Sequence, residues 1–167
     1  MSLLDIKNMT VEFPTRRGVF TAVRDVSLSV NPGEILGVVG ESGAGKSTIG
    51  NAVIGLLEPP GRLAGGEIYL KGQRIDDLGE DDLRSIRGNR IGMIFQDPLT
   101  SLDPLQTIEQ QLMETIQLHL KLDDDGARAN AVGLLDRVGI PDPEVRIKQY
   151  PHQFSGGMRQ RVVIALA

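Results

Sequence analysis

The sequence predicts an α/β chain, in which a β-rich first third leads into one strand–loop–helix unit and then a helical block. Three observations predict it. Val26-Ser27-Leu28-Ser29-Val30 alternates apolar and polar side chains. Ile35-Leu36-Gly37-Val38-Val39 carries no polar side chain and stands directly before a glycine-rich loop. From Leu105 onward, apolar residues recur at steps of three and four, the spacing of one helix face.

Taken in order, residues 3–13 and 19–30 are rich in Val, Ile, Phe and Thr and read as strands, the second half-exposed and antiparallel. Asn31-Pro32-Gly33-Glu34 is a turn, because proline fixes φ and glycine supplies the positive φ that closes it. The 35–39 segment then reads as a strand buried on both faces of a sheet. Residues 47–57 read as a helix with Ile49, Val53, Ile54 and Leu57 on one side, stopped by Pro59-Pro60-Gly61. Glu67-Ile68-Tyr69-Leu70 followed by Lys71-Gly72-Gln73 forms a hairpin, residues 81–87 a short helix with acids in its first turn, and 91–95 a second buried strand. Leu105, Ile108, Leu112, Ile116 and Leu120 mark the stripe of the next helix. Asp123-Asp124-Asp125 caps another, with Ala131, Leu134, Leu135 and Val138 on its apolar side. Asp142 before Pro143 opens a third short helix ending near Tyr150, and residues 155–167 open a fourth.

The chain has 167 residues, 40% hydrophobic and 24% charged, which is the composition of a folded domain rather than a disordered chain. Its formal net charge of −4 argues against the phosphate attraction on which nucleic-acid binders depend, so no nucleic-acid partner is expected. With no cysteine, thiolate metal sites, disulfides and cysteine nucleophiles are excluded. No apolar stretch approaches the ~20 residues of a membrane-spanning helix. A soluble, cytoplasmic chain is the expectation. Glycine is in surplus, 20 in 167 residues, and the question is where those glycines sit.

Gly40-Glu41-Ser42-Gly43-Ala44-Gly45-Lys46-Ser47 satisfies G-x-x-x-x-G-K-[ST] at every required position, between a strand reading and a helix reading. Backbone N–H groups of residues 43–48, Thr48 included, turn inward around a phosphate only where no Cβ obstructs them. Lys46 adds a cation for the β and γ phosphates, the Ser47 hydroxyl a ligand for Mg²⁺, and the helix start its dipole. Phe154-Ser155-Gly156-Gly157-Met158 is a second helix start whose first-turn amides two glycines leave uncovered. Alone it reads more readily as an ordinary glycine turn before a helix.

Together these segments resemble the ATP-binding subunits of ABC transporters. Ile94-Phe95-Gln96-Asp97-Pro98 resembles the family's Q-loop, and Phe154-Ser155-Gly156-Gly157 its signature. The segments from Phe95 to Pro104 and from Tyr150 to Met158 are similar to the dipeptide, oligopeptide and nickel importer branch, including Met158 where the commonest signature has glutamine. The resemblance implies a P-loop ATPase core with an N-terminal antiparallel β subdomain and a helical signature subdomain, divided here as 1–97 and 98–167. It implies ATP and Mg²⁺ as ligands, with Gly40, Ser42, Gly43, Ala44, Gly45, Lys46, Ser47 and Thr48 around the phosphates and Ser47 and Gln96 at the metal. Lys46 and Gln96 take the catalytic roles. Ser155, Gly156 and Gly157 reach the γ-phosphate held by a second ATP-binding subunit. Phe13 stands where the family stacks a ring on adenine, with Phe20 as the competing choice.

The same resemblance implies a peripheral subunit on the cytoplasmic face of the membrane, held there by membrane-spanning permease subunits and served indirectly by a solute-binding protein. An apolar strand ending in Asp-Glu and a later histidine are expected after the signature helix. Neither occurs in this sequence, so the chain reads as an incomplete core whose strands at 35–39 and 91–95 lack the neighbours between them. The alternatives are a module that binds nucleotide and pairs without hydrolysis, and a different P-loop ATPase in which 91–95 and Asp97 form the metal-binding strand.

Overall fold

The computed structural model describes residues 2–95, 97 and 101–167. It comprises two compact units, one running to Ile86 and one starting at Arg87, a division that falls earlier in the chain than the boundary after 97 read from the sequence.

The first unit is built on β-branched and aromatic residues that pair locally. Strands β1 (Leu4–Thr15) and β2 (Gly18–Val30) are joined by Arg16 and Arg17, and Thr15 pairs with Gly18 to close the hairpin. β3 (Arg62–Leu70) pairs with the other edge of β1, and β4 (Gln73–Arg74) comes next, after the Lys71-Gly72 turn. The sheet is antiparallel throughout, in the order β2-β1-β3-β4. Ile6, Met9 and Val11 of β1 are all fully buried although Ile6 and Met9 are three apart. A register shift between them, with Asn8 at φ 50°, absorbs the extra residue and returns Met9 to the inner face. In β2, residues 26–30 alternate half-buried and exposed, as their pattern requires. At the hairpin end of β3, the Arg74 guanidinium bonds Asp76 at 2.9 Å and Glu67 at 3.2 Å, and Ile68 N–H donates to Asp76 at 2.7 Å. Burial alone raises the Asp76 pKa, but these donors and the Arg74 charge outweigh it and hold the carboxyl below its ordinary value.

Helix α1 (Lys46–Val53) is shorter than the 47–57 expected. Gly55, at φ 67°, donates to the Ala52 carbonyl, and Leu56 N–H donates to that of Asn51 at 2.8 Å. This paired closure through a left-handed glycine ends the helix four residues early. Ala52, Val53 and Ile54 are its buried side. Helix α2 (Glu80–Ile86) carries Glu80, Asp81 and Asp82 in its first turn, as read.

The two all-apolar segments differ from expectation. Residues 35–39 form no strand, and Ile35 and Val39 are 98% and 96% exposed. In 91–95 the one β feature is a bridge between Arg87 and Ile91, and Ile94 and Phe95 are exposed. A strand without polar side chains is stable only with sheet neighbours at its edges and cover on both faces. Among the described residues neither segment has a sheet neighbour.

The second unit is helical: α3 (Ile108–Leu120), α4 (Asp124–Arg137), α5 (Pro143–Arg146), a 3-10 turn (Pro151–Gln153) and α6 (Gly156–Leu166). Ile108, Leu112 and Ile116 of α3 meet Ala127, Ala131 and Leu135 of α4, with Ile147, Phe154, Val162 and Val163, in one core. Small residues on α4 let the helix backbones approach. Leu105 and Leu120, read as part of the α3 stripe, are exposed, because Leu105 precedes the helix and Leu120 is its last residue. Thr107 and Gln110 form a capping box on α3, and the Asp123 carboxylate caps α4 by accepting from Gly126 N–H at 2.9 Å. Asp142 does precede α5, but its backbone is left-handed at φ 50° and its side chain makes no cap bond; the helix ends at Arg146, short of Tyr150. Arg128 ties the helices together through Glu109 at 2.8 Å and Glu144 at 3.2 Å. No helix among the described residues is long and apolar enough to cross a membrane.

Candidate functional site

Residues 40–45 turn from the 35–39 segment into α1. Gly43 and Gly45 take φ of 81° and 85°, and Ala44 N–H donates to the Glu41 carbonyl at 3.2 Å. Gly45 is required twice over. Its φ is left-handed, and a Cβ there would stand 2.9 Å from the Ala22 carbonyl oxygen and 3.1 Å from Val23 Cγ2, so β2 is the wall behind the loop. Gly45 is also the N-cap of α1 and, having no side chain, covers none of the first-turn amides of Lys46, Ser47 and Thr48.

The Lys46 ammonium donates to the Gly40 carbonyl at 2.8 Å and the Glu41 carbonyl at 2.6 Å, which lays the cation across the loop. Sequence indicated the lysine but not these acceptors, since backbone oxygens have no signature in residue type. Gly40, Ser42, Gly43 and Ala44 are exposed on the loop, and Thr48 is half-buried. Ser47, the second residue of α1, is also exposed. An exposed hydroxyl beside bare first-turn amides suits magnesium, which keeps several waters and takes few protein ligands. Gln96, the other metal candidate, lies outside the described residues. Asp97 is exposed, and its carbonyl accepts from the Ser101 hydroxyl at 2.8 Å.

The second helix start is built differently. Phe154 is 2% exposed and belongs to the helical core, and the Arg159 side chain donates to its carbonyl at 3.1 Å. Ser155, with extended backbone, caps α6 by accepting from Met158 N–H at 3.3 Å. Gly156 and Gly157 are exposed, neither has a positive φ, and a Cβ on either would meet nothing within 4 Å among the described residues. The phosphate loop belongs to the first unit and this helix start to the second.

Phe13 pairs with Phe20 across β1 and β2. The Phe13 ring lies on Gly61, whose Cβ would come within 2.6 Å of Cε1, whereas Phe20 is 61% exposed. Phe20 is thus the freer of the two rings.

The chain matches the ABC transporter family model over residues 23–167. It is 46% identical over 166 residues to the oligopeptide transport ATP-binding protein OppD of Bacillus subtilis, covering 99% of this chain and 46% of that protein. To OppD of Haemophilus influenzae it is 49% identical over 165 residues, covering 99% of this chain and 51% of that one. To the dipeptide transport ATP-binding protein DppD of Escherichia coli it is 44% identical over 167 residues, covering 100% and 51%. It therefore spans about half the length of these curated relatives. Among solved structures, it superposes on the dimeric post-hydrolysis state of the ATP-binding cassette MJ0796 bound to ADP and Pi with a TM-score of 0.86 at 28% identity, covering 98% of this chain and 68% of that one. The same TM-score, identity and coverage relate it to the dimeric structure of MJ0796, a bacterial ABC transporter cassette. A phosphate loop backed by β2, a signature-type helix start and a family match over most of the chain agree, and the chain belongs to the ABC transporter family.

Proposed function

We propose that the chain binds ATP and Mg²⁺ as part of an ATPase subunit that powers an ABC importer of peptides or similar small solutes. The observation that carries the reading is the loop at 40–47, pressed on β2 at Gly45 with Lys46 across it and bare amides at the head of α1. Such a loop favours a polyphosphate because the amides and the ammonium are already oriented when the ligand arrives. Lys46 exchanges its two carbonyl partners for β- and γ-phosphate oxygens. Ser47 and Gln96 hold the metal, which when bound offsets phosphate charge. Gln96 further orients the attacking water, and Phe13, or the freer ring of Phe20 paired with it, stacks on adenine.

Ser155, Gly156 and Gly157 complete the site of a second ATP-binding subunit. Their open glycines support this, since nothing among the described residues requires glycine at either position. The names of the OppD and DppD relatives support peptide transport, and with it permease subunits as membrane partners, a solute-binding protein acting through them, and a peripheral place at the cytoplasmic face. The dimeric structures of the MJ0796 cassette support pairing.

A second reading, binding and pairing without turnover by these 167 residues alone, is favoured by the chemistry of the candidates. Lys46 is a cation and Gln96 a neutral amide, and neither takes a proton from water. Titration with a fluorescent ATP analogue and Mg²⁺, run beside a phosphate-release assay, tests both readings. Lys46→Ala is expected to weaken binding about 10- to 100-fold, the loss of one or two charge-assisted phosphate contacts. Unchanged affinity would sink the first reading, and Lys46-dependent phosphate release would sink the second.

A further inference from the structure

Residues 87–91 make a tight turn within the second unit. Gly88 N–H donates to the Ile91 carbonyl at 3.0 Å, and Arg87 and Ile91 form a parallel bridge. Gly88 has φ +73°, and the space where its side chain would project is taken by His119. A Cβ on Gly88 would lie 2.8 Å from His119 Nε2, 3.5 Å from Cε1 and 3.7 Å from Cδ2. The imidazole thus meets the turn with Nε2 foremost. His119 is the penultimate residue of α3, and α3 is anchored by Ile108, Leu112 and Ile116 in the helical core. His119 also lines a cleft of about 300 Å³ with Leu112, Ile116, Leu134 and Arg137.

The left-handed φ alone favours glycine at 88, and the same missing side chain leaves the space that the His119 ring fills. Here the turn and the ring fit because one position has no side chain and the other carries a flat one. The turn matters because of its place in the chain: Ile91 begins the apolar 91–95 segment, and Gln96 comes directly after it.

We infer that His119 is a positioning residue: its imidazole, set against Gly88, holds the 87–91 turn on the end of α3 and so fixes the start of the segment that runs to Gln96. Any movement of α3 is then transmitted to that turn directly. The consequence for ATP turnover rests on the role of Gln96 proposed above, whereas the contact does not.

The test uses the isotope-labelled 167-residue chain without nucleotide, so that it fails or succeeds independently of ATP binding at Lys46. In the wild-type chain the Gly88 Hα resonance is displaced by the His119 ring current. His119→Ala returns it to an unshifted position and speeds amide exchange at Gly88 about two- to threefold, the effect of losing a few packed atom pairs. His119→Phe restores a flat ring, and with it the displaced Hα and slow exchange. Amides of Ala131 and Leu135 in α4 keep wild-type rates in both variants. An undisplaced Gly88 Hα in the wild-type chain overturns the inference. So does unchanged Gly88 exchange in His119→Ala, or a rise shared equally by α4, which would mark His119 as a general structural residue.

Discussion

The starts of α1 and α6 both leave first-turn amides uncovered, all of them at α1 and those of Gly156 and Gly157 at α6, where Ser155 caps Met158 N–H, yet they reach that state by opposite routes. At α1 the chain's own fold dictates the glycine: Gly45 is left-handed and has the Ala22 carbonyl of β2 where a Cβ would be. At α6 the described residues dictate nothing at Gly156 and Gly157, which are exposed, have no positive φ and meet no atom of those residues where a Cβ would stand. Order there comes from the flanks, where Phe154 is buried in the helical core and Ser155 caps the helix. Lys46 lies across the first start on the Gly40 and Glu41 carbonyls, and at the second the Arg159 side chain donates to the Phe154 carbonyl. A glycine held by its own fold is what a self-contained phosphate loop needs. Glycines with no internal cause are what a surface needs if another molecule's backbone or phosphate must come close. The contrast supports reading the α1 loop as shaped by its own fold and the α6 start as kept open for a partner.

The largest effect that tests this contrast is on stability. Gly45→Ala places a Cβ against a backbone oxygen in a left-handed conformation, and should cost about 1–3 kcal/mol in urea unfolding of the first unit. Backbone on one side and a strand on the other leave little room for relaxation. A midpoint equal to wild type would mean that β2 does not constrain the loop, and the two helix starts would then be alike.

Legibility in the sequence divides along the same line, between local and distant cause. Strands β1 and β2 are readable because β-branched and alternating residues are a local pattern, and the starts of α4 and α6 because a helix start is marked within a few residues. The phosphate loop is readable because its spacing is short-range chemistry. The 35–39 and 91–95 segments read as buried strands and are not, because burial of an all-apolar strand is not a local property. It depends on neighbours that parallel sheets bring from far along a chain, and among the described residues neither segment has one. Leu105 misleads for a smaller reason: it has the right spacing but lies beyond the Thr107 cap that starts the helix. The acceptors of Lys46 and the seat of His119 on Gly88 have no signature at all. One depends on backbone oxygens, and the other joins residues 31 apart.

A smaller effect separates capping from phosphate contact at α6. Ser155→Ala removes the acceptor for Met158 N–H and should lower stability of the second unit by about 1 kcal/mol. Ser155→Asp keeps an equally good cap, so folding should be preserved. Its negative charge would nevertheless repel a partner's γ-phosphate. ATP-dependent self-association, monitored by sedimentation, is therefore expected to be lost in Ser155→Asp while the unfolding midpoint stays at the wild-type value. Equal association by wild type and Ser155→Asp would argue that α6 meets no phosphate.

The smallest stability change carries the sharpest distinction. Gly156→Ala puts a methyl group into open space at the first residue of α6, at a φ that alanine adopts without strain. Alanine is the better helix former and loses less chain entropy on folding, so stability should hold or rise by up to about 1 kcal/mol. The same methyl group stands on the face that a partner's nucleotide would approach. Thermal unfolding and ATP-dependent association, measured on one preparation, should therefore diverge, with the first unchanged or improved and the second abolished. If Gly156→Ala instead loses stability as Gly45→Ala does, the glycine has an internal cause after all. The α6 start would then be an ordinary folded turn rather than a surface kept bare for a neighbour.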